Sequence, residues 1–289
     1  MNLSRTPRLK MFAADLALLL VAVIWGGGFI ASKEALSSLS AFGVMSSRFL
    51  LSAAVMFLLF HKKILRGTGR EIRYGVIIGA IQFIAFIFQL NGLALTTVER
   101  HSFLVTSYAV FVPFLSVALA HNPLRRRDVG CALLAVTGLA LLCLKPGNLT
   151  PTLGDVLSLM AAICFSIQIV YVGNFVKGAD MFSMTFFQLL TPGLLALPFS
   201  GLPDALVCAG ENALTGIAYL VLLNTVFAFS AQNIAQQHTS DAHASLIISM
   251  EAVFGFLLAV WFYNHGVSLQ ECLGSVLMVA AIVLSNTKK

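Results

Sequence analysis

Residues 12–35 read FAADLALLLVAVIWGGGFIASKEA, an apolar run in which Asp15 is the only charged residue before Lys33. A helix rises about 1.5 Å per residue, so this run is long enough to cross the roughly 30 Å hydrocarbon core of a bilayer. Inside a bilayer the backbone polar groups find no water, and a helix satisfies them within the segment. The run predicts an uncleaved membrane-spanning helix, because no short core with a small-residue cleavage site is present.

Similar apolar runs continue along the whole 289-residue chain. The composition agrees, since 58% of the residues are hydrophobic and 10% are charged, whereas a soluble domain carries about a quarter charged residues. The sequence therefore predicts an all-α membrane protein with ten transmembrane helices, of which the fifth and the tenth are short. The runs lie at about 12–35, 41–60, 74–95, 99–120, 129–144, 155–176, 182–200, 213–236, 244–263 and 272–286.

Lys and Arg are concentrated in alternate connections between these runs. Three basic clusters, around Arg5, Arg66 and Arg126, lie on the same side of the membrane if each run crosses it once. Cytoplasmic loops carry such an excess, so both termini are predicted to be cytoplasmic, and the connection that holds Cys208 is predicted to be external. The net charge of +6 then faces anionic lipid headgroups of the bilayer, which argues against nucleic acid as a partner.

The second half of the chain repeats the first at an offset of about 140 to 144 residues. Each half contains five runs, an odd number, so the second copy must enter the membrane from the opposite side. We predict a cytoplasmic N-terminus at 1–11, a first repeat at 12–144, an external linker at 145–154, a second, inverted repeat at 155–286 and a cytoplasmic C-terminus at 287–289. Matching positions include Asp15 and Asp155, Arg48 and Gln188, Gly75 and Gly216, Ser102 and Ser245, and Gly130 and Gly274.

With these features the sequence resembles the EamA-like, ten-helix branch of the drug/metabolite transporter superfamily. The resemblance covers nearly the whole chain and implies a central cavity lined mainly by helices 1, 3, 4, 6, 8 and 9. One departure is that the family often has Glu-Pro where this chain has Glu251-Ala252, which puts a proline kink there in doubt. The motifs that carry the resemblance are Trp25-Gly26, Arg48-Phe49, the stretch 109–113, Gly130, Gly138 and the run 251–254.

The resemblance implies a secondary transporter in the cell (inner) membrane that moves a small amino-acid-like metabolite or a drug-like solute by alternating access. No G-x-x-x-x-G-K-S/T run for ATP binding is present, so a gradient would drive transport. Two alternatives are an enzyme that uses Glu251 with His101 as an acid/base pair, and a non-transporting scaffold. No span carries a dense His, Asp and Glu constellation, which disfavours the enzyme. No cofactor or metal site is indicated by the Cys and His spacing, and the oligomeric state is left open.

Glu251 is the only carboxylate that lies well inside a predicted span. An ionised carboxylate at that depth costs at least about 3 kcal/mol, so the group must face a polar cavity, be paired or be protonated. Two functional interpretations follow, a contact for a cationic group of the substrate and a carrier of a coupling proton. The structural alternative is a hydrogen bond to a neighbouring helix.

Further candidates for the site lie on other predicted spans. Tyr108 corresponds to Glu251 in the fourth span, and its phenol is suited to contact a substrate or to ordinary packing. Trp25 and Phe29 flank a glycine run that permits close helix packing or local unwinding, and an aromatic wall suits a cationic or aromatic substrate. For Arg48, outward snorkelling or pairing inside the bundle is favoured over binding a carboxylate of the substrate. Polar edges that line a cavity or join helices are formed by Gln82 with Gln89, Gln168 with Tyr171, and Asn224 with Gln232.

Overall fold

The computed structural model describes residues 6–143, 150–201, 210–263 and 267–286, and every regular element among them is helical. A 3-10 turn, Leu197–Phe199, extends the helix Met181–Ala196, and a π-helical stretch, Leu220–Phe227, joins the helices Glu211–Tyr219 and Ala228–Gln236. The α-helices are α1 (Thr6–Leu36), α2 (Ala41–Ile64), α3 (Gly69–Leu95), α4 (Val98–Thr106), α5 (Tyr108–Ala120), α6 (Arg126–Cys143), α7 (Leu153–Phe175), α8 (Met181–Ala196), α9 (Glu211–Tyr219), α10 (Ala228–Gln236), α11 (Asp241–Ile248), α12 (Glu251–Tyr263) and α13 (Leu269–Asn286).

Eight helical stretches of the described chain are long and apolar enough to cross a membrane. They confirm an all-helical, multi-pass membrane protein. Four of the eight combine separate elements: α4 with α5, α8 with the 3-10 turn, α9 with α10 through the π-helical stretch, and α11 with α12. The fifth and tenth predicted spans correspond to α6 and α13, which are not among the eight, so ten crossings remain a prediction.

The contacts between helices follow the same pattern when the two halves are exchanged. α2 packs on α8, and α6 packs on α13. α1 contacts α9, α10 and α12, and its counterpart α7 contacts α3, α5 and α4 in the same way. Each of these contacts joins one half to the other, so the interface between the halves forms the centre of the molecule.

Two ion pairs occupy corresponding places in this interface. Arg100 on α4 contacts Asp155 on α7 with an N–O distance of 2.5 Å. His243 on α11 lies 3.2 Å from Asp15 on α1, an ion pair only while the histidine is protonated. At the offset of the repeat, Asp15 corresponds to Asp155 and Arg100 corresponds to His243.

Two spans are interrupted at corresponding points. α4 ends at Thr106 and α5 begins at Tyr108, while α11 ends at Ile248 and α12 begins at Glu251. At each break a serine hydroxyl donates to the carbonyl three residues earlier, Ser107 to Leu104 at 2.5 Å and Ser249 to Leu246 at 2.7 Å. Such side-chain bonds compete with the helical ladder. The ninth predicted span is therefore broken although it lacks the proline that the resemblance leads one to expect at Ala252.

Candidate functional site

A cavity lies where the two broken spans meet α1, α2, α3, α7 and α10. Except for α2, these elements are the helices that the resemblance implies as cavity lining. Side chains from both halves form its wall, as the interface between the halves would require. The candidates from the sequence that line it are Trp25, Phe29, Gln89, Tyr108, Gln168, Asn224 and Glu251.

Glu251 is the first residue of α12 and is only 4% exposed. Its Oε1 accepts hydrogen bonds from the Tyr108 hydroxyl at 3.1 Å and from Thr106 Oγ1 at 3.2 Å. Both donors flank the break between α4 and α5. Both bonds end on Oε1, and no described residue donates a hydrogen bond to Oε2. The carboxyl group is thus held by neutral donors on one side and open to the cavity on the other.

The glycine run of α1 brings this helix against two neighbours. A Cβ at Gly26 would lie 2.7 Å from the carbonyl oxygen of Glu251, and a Cβ at Gly27 would lie 2.6 Å from the Tyr219 hydroxyl. Gly28 faces the side-chain amide of Asn224. α1 continues through the run as a helix. Of the two interpretations of the glycines, the structure supports close packing and not local unwinding.

Arg48 on α2 also lines the cavity and is 3% exposed. Its Nε donates to Thr225 Oγ1 at 2.6 Å, and its Nη2 donates to Asn224 Oδ1 at 2.7 Å. The guanidinium also lies over the Phe86 ring, 4.7 Å from the centroid. Arg48 therefore does not snorkel outward, and the pairing expected inside the bundle is with neutral groups. No carboxylate of the described chain forms an ion pair with it.

The π-helical stretch presents Asn224 and Thr225 together toward Arg48. The side-chain amide of Asn224 also donates to the backbone carbonyl of Ile24 at 3.1 Å. The backbone carbonyl of Asn224 accepts from Trp25 Nε1 at 2.9 Å. Short π-helical segments are frequent at functional sites because they redirect side chains within a helix. Here the segment fixes both the tryptophan ring and the guanidinium on the cavity wall.

Three of the sequence candidates lie outside the cavity. The Oε1 of Gln82 accepts from Gln188 Nε2 at 2.9 Å, so this amide joins α3 to α8. Tyr171 packs against Phe175 with a centroid distance of 5.2 Å. Gln232 is fully buried on α10 away from the cavity wall. Each predicted polar pair on α3, α7 and α10 therefore has one member at the cavity and one away from it. The two members share a helix face but lie at different depths, so they contact different neighbours.

The wall also contains residues that the sequence candidates did not include. Phe86, Phe165 and Phe229 add aromatic surface. The repeat offers a signal for one of them, since Phe165 falls on Trp25 at an offset of 140 residues. Arg48 carried a usable signal, since an ionisable residue inside a span is a functional candidate in its own right.

The model of the EamA-like transporter family matches residues 12–144 and again residues 152–287. Two proteins of Archaeoglobus fulgidus, each described as an uncharacterized transporter, are similar over nearly the whole chain. One is 29% identical over 96% of this chain and 87% of its own length. The other is 23% identical over 95% of this chain and 97% of its own length.

A solved crystal structure has the same fold, with a TM-score of 0.76 over 94% of this chain and 96% of that chain at 16% identity. Likeness at this identity establishes the fold alone. The match of the family model along both halves establishes more. The chain belongs to the EamA-like transporter family of the drug/metabolite transporter superfamily.

Proposed function

We propose that this protein is a secondary transporter that moves a small amino-acid-like metabolite or a drug-like solute across the cell membrane by alternating access. The observation that carries the proposal is the buried cavity between the halves, with Glu251 open to it at a helix break. In many secondary transporters the substrate site lies near the midplane between two repeats and involves discontinuous helices. The breaks at α4–α5 and α11–α12 correspond to that arrangement.

The proposed topology has ten spans, inverted repeats at 12–144 and 155–286, and cytoplasmic termini. The exchangeable packing of the halves and the corresponding ion pairs of Asp15 and Asp155 support the repeat. In this topology α1 runs outward, so that Lys33 and Glu34 lie near the external surface.

Two further cavities offer routes to the two sides. One lies between α1, α4 and α12 and shares Phe29 with the central cavity, so the Phe29 side chain lies between the two spaces. The other lies beside Asp241 and Lys177, at the opposite end of the proposed topology. Alternating access would open these routes in turn, and Phe29 is the side chain whose movement opens the external one.

The enzyme alternative requires a histidine next to Glu251. His101 instead contacts Ser158 Oγ through Nδ1 at 2.7 Å and packs edge-on against Phe29. Its side chain is not part of the cavity wall. This geometry favours transport over acid/base catalysis by the pair.

Counterflow in liposomes tests the proposal. Metabolites are first screened for those that raise the melting temperature of the purified protein, because a ligand that binds the folded form stabilises it. Liposomes that contain the protein and are preloaded with unlabelled ligand should then accumulate the labelled ligand transiently. Conversion of the ligand to a product would favour the enzyme. Binding without exchange would favour the scaffold.

A further inference from the structure

We infer that Arg48 and Glu251 bind the two ends of a zwitterionic substrate, with the carboxylate at Arg48 and the ammonium group at Glu251. This inference rests on the proposed function and narrows its substrate class. It separates amino-acid-like solutes, which carry both charges, from cationic drug-like solutes, which carry one.

The state of the Arg48 guanidinium is the first step. A buried cation is strongly destabilising unless it is paired, and within the described chain Arg48 has only the neutral partners Thr225 and Asn224 together with aromatic rings. Those bonds use Nε and Nη2. Nη1 donates to no described residue, so one edge of the guanidinium remains available to an anion. Carboxylates are the groups that a guanidinium binds best, through parallel hydrogen bonds.

The state of Glu251 is complementary. Its Oε1 is occupied by Tyr108 and Thr106, while Oε2 receives no hydrogen bond from the described residues. Glu251 and Arg48 line the same cavity without forming an ion pair with each other. A ligand with both charges compensates both groups at once. A purely cationic ligand leaves Arg48 unpaired, and a purely anionic ligand leaves Glu251 unpaired.

The rest of the wall indicates the body of the ligand. Trp25, Phe86 and Phe229 offer aromatic surface, which suits an apolar side chain. Gln89 Oε1 and Gln168 Nε2 are buried atoms with no hydrogen-bond partner in the described structure. Buried amide atoms are normally satisfied, so a polar group of the ligand is the partner these two atoms lack. The cavity therefore suits a small zwitterion with an apolar side chain.

Three probes that share one skeleton test the assignment of charges. They are L-phenylalanine, 2-phenylethylamine, which lacks the carboxylate, and 3-phenylpropionate, which lacks the amine. The leucine series, with its corresponding amine and acid, provides a second set. Binding is measured by calorimetry on purified wild type, Arg48→Gln, Glu251→Gln and Arg66→Gln. Arg66 is exposed and serves as the matched control.

Wild type and Arg66→Gln should bind the zwitterion of at least one series more tightly than either of its truncated probes. Arg48→Gln should weaken the zwitterion by about 30-fold or more, the lower end of the effect of removing one partner of a buried charge pair. The same change should not weaken binding of the amine. Glu251→Gln should weaken binding of the zwitterion and should not weaken binding of the acid. Arg48→Lys, which retains the charge, should bind the zwitterion better than Arg48→Gln does.

Equal weakening of all three probes by Arg48→Gln would show that Arg48 supports the cavity and contacts no ligand. That result would overturn the inference, as would a wild type that binds none of the zwitterions or binds the amines more tightly than the zwitterions. Faster counterflow of an amine than of its zwitterion by wild type would refute the charge assignment while the proposed transport stands. Absence of counterflow for every ligand that binds would instead refute the transport.

Discussion

Glu251 and Tyr108 begin the second parts of the two broken spans and meet across the interface between the halves at 3.1 Å. Sequence reasoning could identify Glu251, because a carboxylate inside an apolar run is costly and needs a partner or a polar cavity. It could not separate Gln89 from Gln82. The spacing of seven puts both amides on one face of α3, but only the fold determines that Gln188 meets Gln82 while Gln89 reaches the cavity.

Replacing Tyr108 by Phe removes one of the two donors to Glu251 and retains the ring. A hydrogen bond to a charged group contributes about 1.5–3 kcal/mol, so we expect substrate affinity or counterflow rate to fall by about tenfold while Thr106 still holds the carboxyl group. Tyr74→Phe is the matched control, since Tyr74 stacks on Phe175 at 4.0 Å and its ring contact survives the change. Equal behaviour of the two variants would contradict a role for the Tyr108 hydroxyl.

At the scale of elements, the positions of the helices could be predicted and their interruptions could not. Length and hydropathy located apolar runs that overlap the observed helices, because bilayer thickness and backbone hydrogen bonding constrain both. The breaks at Ser107 and Ser249 and the π-helical stretch at 220–227 depend on single side-chain hydrogen bonds and on packing against other helices. Those contacts cannot be predicted from an apolar composition.

The approach of α1 to α12 gives a prediction at this scale. In Gly26→Ala the new methyl group would lie 2.7 Å from the Glu251 carbonyl oxygen and from the Gly255 nitrogen, so the two backbones must separate. Overpacking of this kind costs about 1–3 kcal/mol, and we expect a lower melting temperature together with weaker ligand binding. In Gly130→Ala, by contrast, the methyl group meets no atom within 4 Å. This control should melt at or above the wild-type temperature, and a similar loss in both variants would exclude the close approach as the cause.

At the scale of the whole molecule, the sequence offset of the halves anticipated which helices correspond. The offset could not show that α3 packs on α7 and α8. A single sequence does not indicate which distant segments contact each other. The ion pairs at Asp15 and Asp155 make the correspondence concrete, because each joins the first helix of one half to a broken span of the other.

The proposed orientation is tested by the accessibility of Cys208, which lies outside the described residues. In a variant that retains Cys208 and replaces the other four cysteines, a membrane-impermeant thiol reagent should label intact cells, because its connection is proposed to be external. A cysteine introduced at Arg126, at the proposed cytoplasmic start of α6, should be labelled only after permeabilisation. The reverse pattern would invert the topology.

Transport through a cavity that contains Glu251 is tested most directly by counterflow and gradient-driven uptake in a Glu251→Gln variant, measured beside wild type and Glu211→Gln. Glu211 is exposed at the start of α9, and its replacement should have no effect. If Glu251 binds the substrate, Gln should reduce binding, counterflow and uptake together. If it carries only a coupling proton, Gln should abolish uptake against a gradient and preserve exchange. Wild-type binding, exchange and uptake in folded Glu251→Gln would contradict both roles and leave Glu251 as a structural residue.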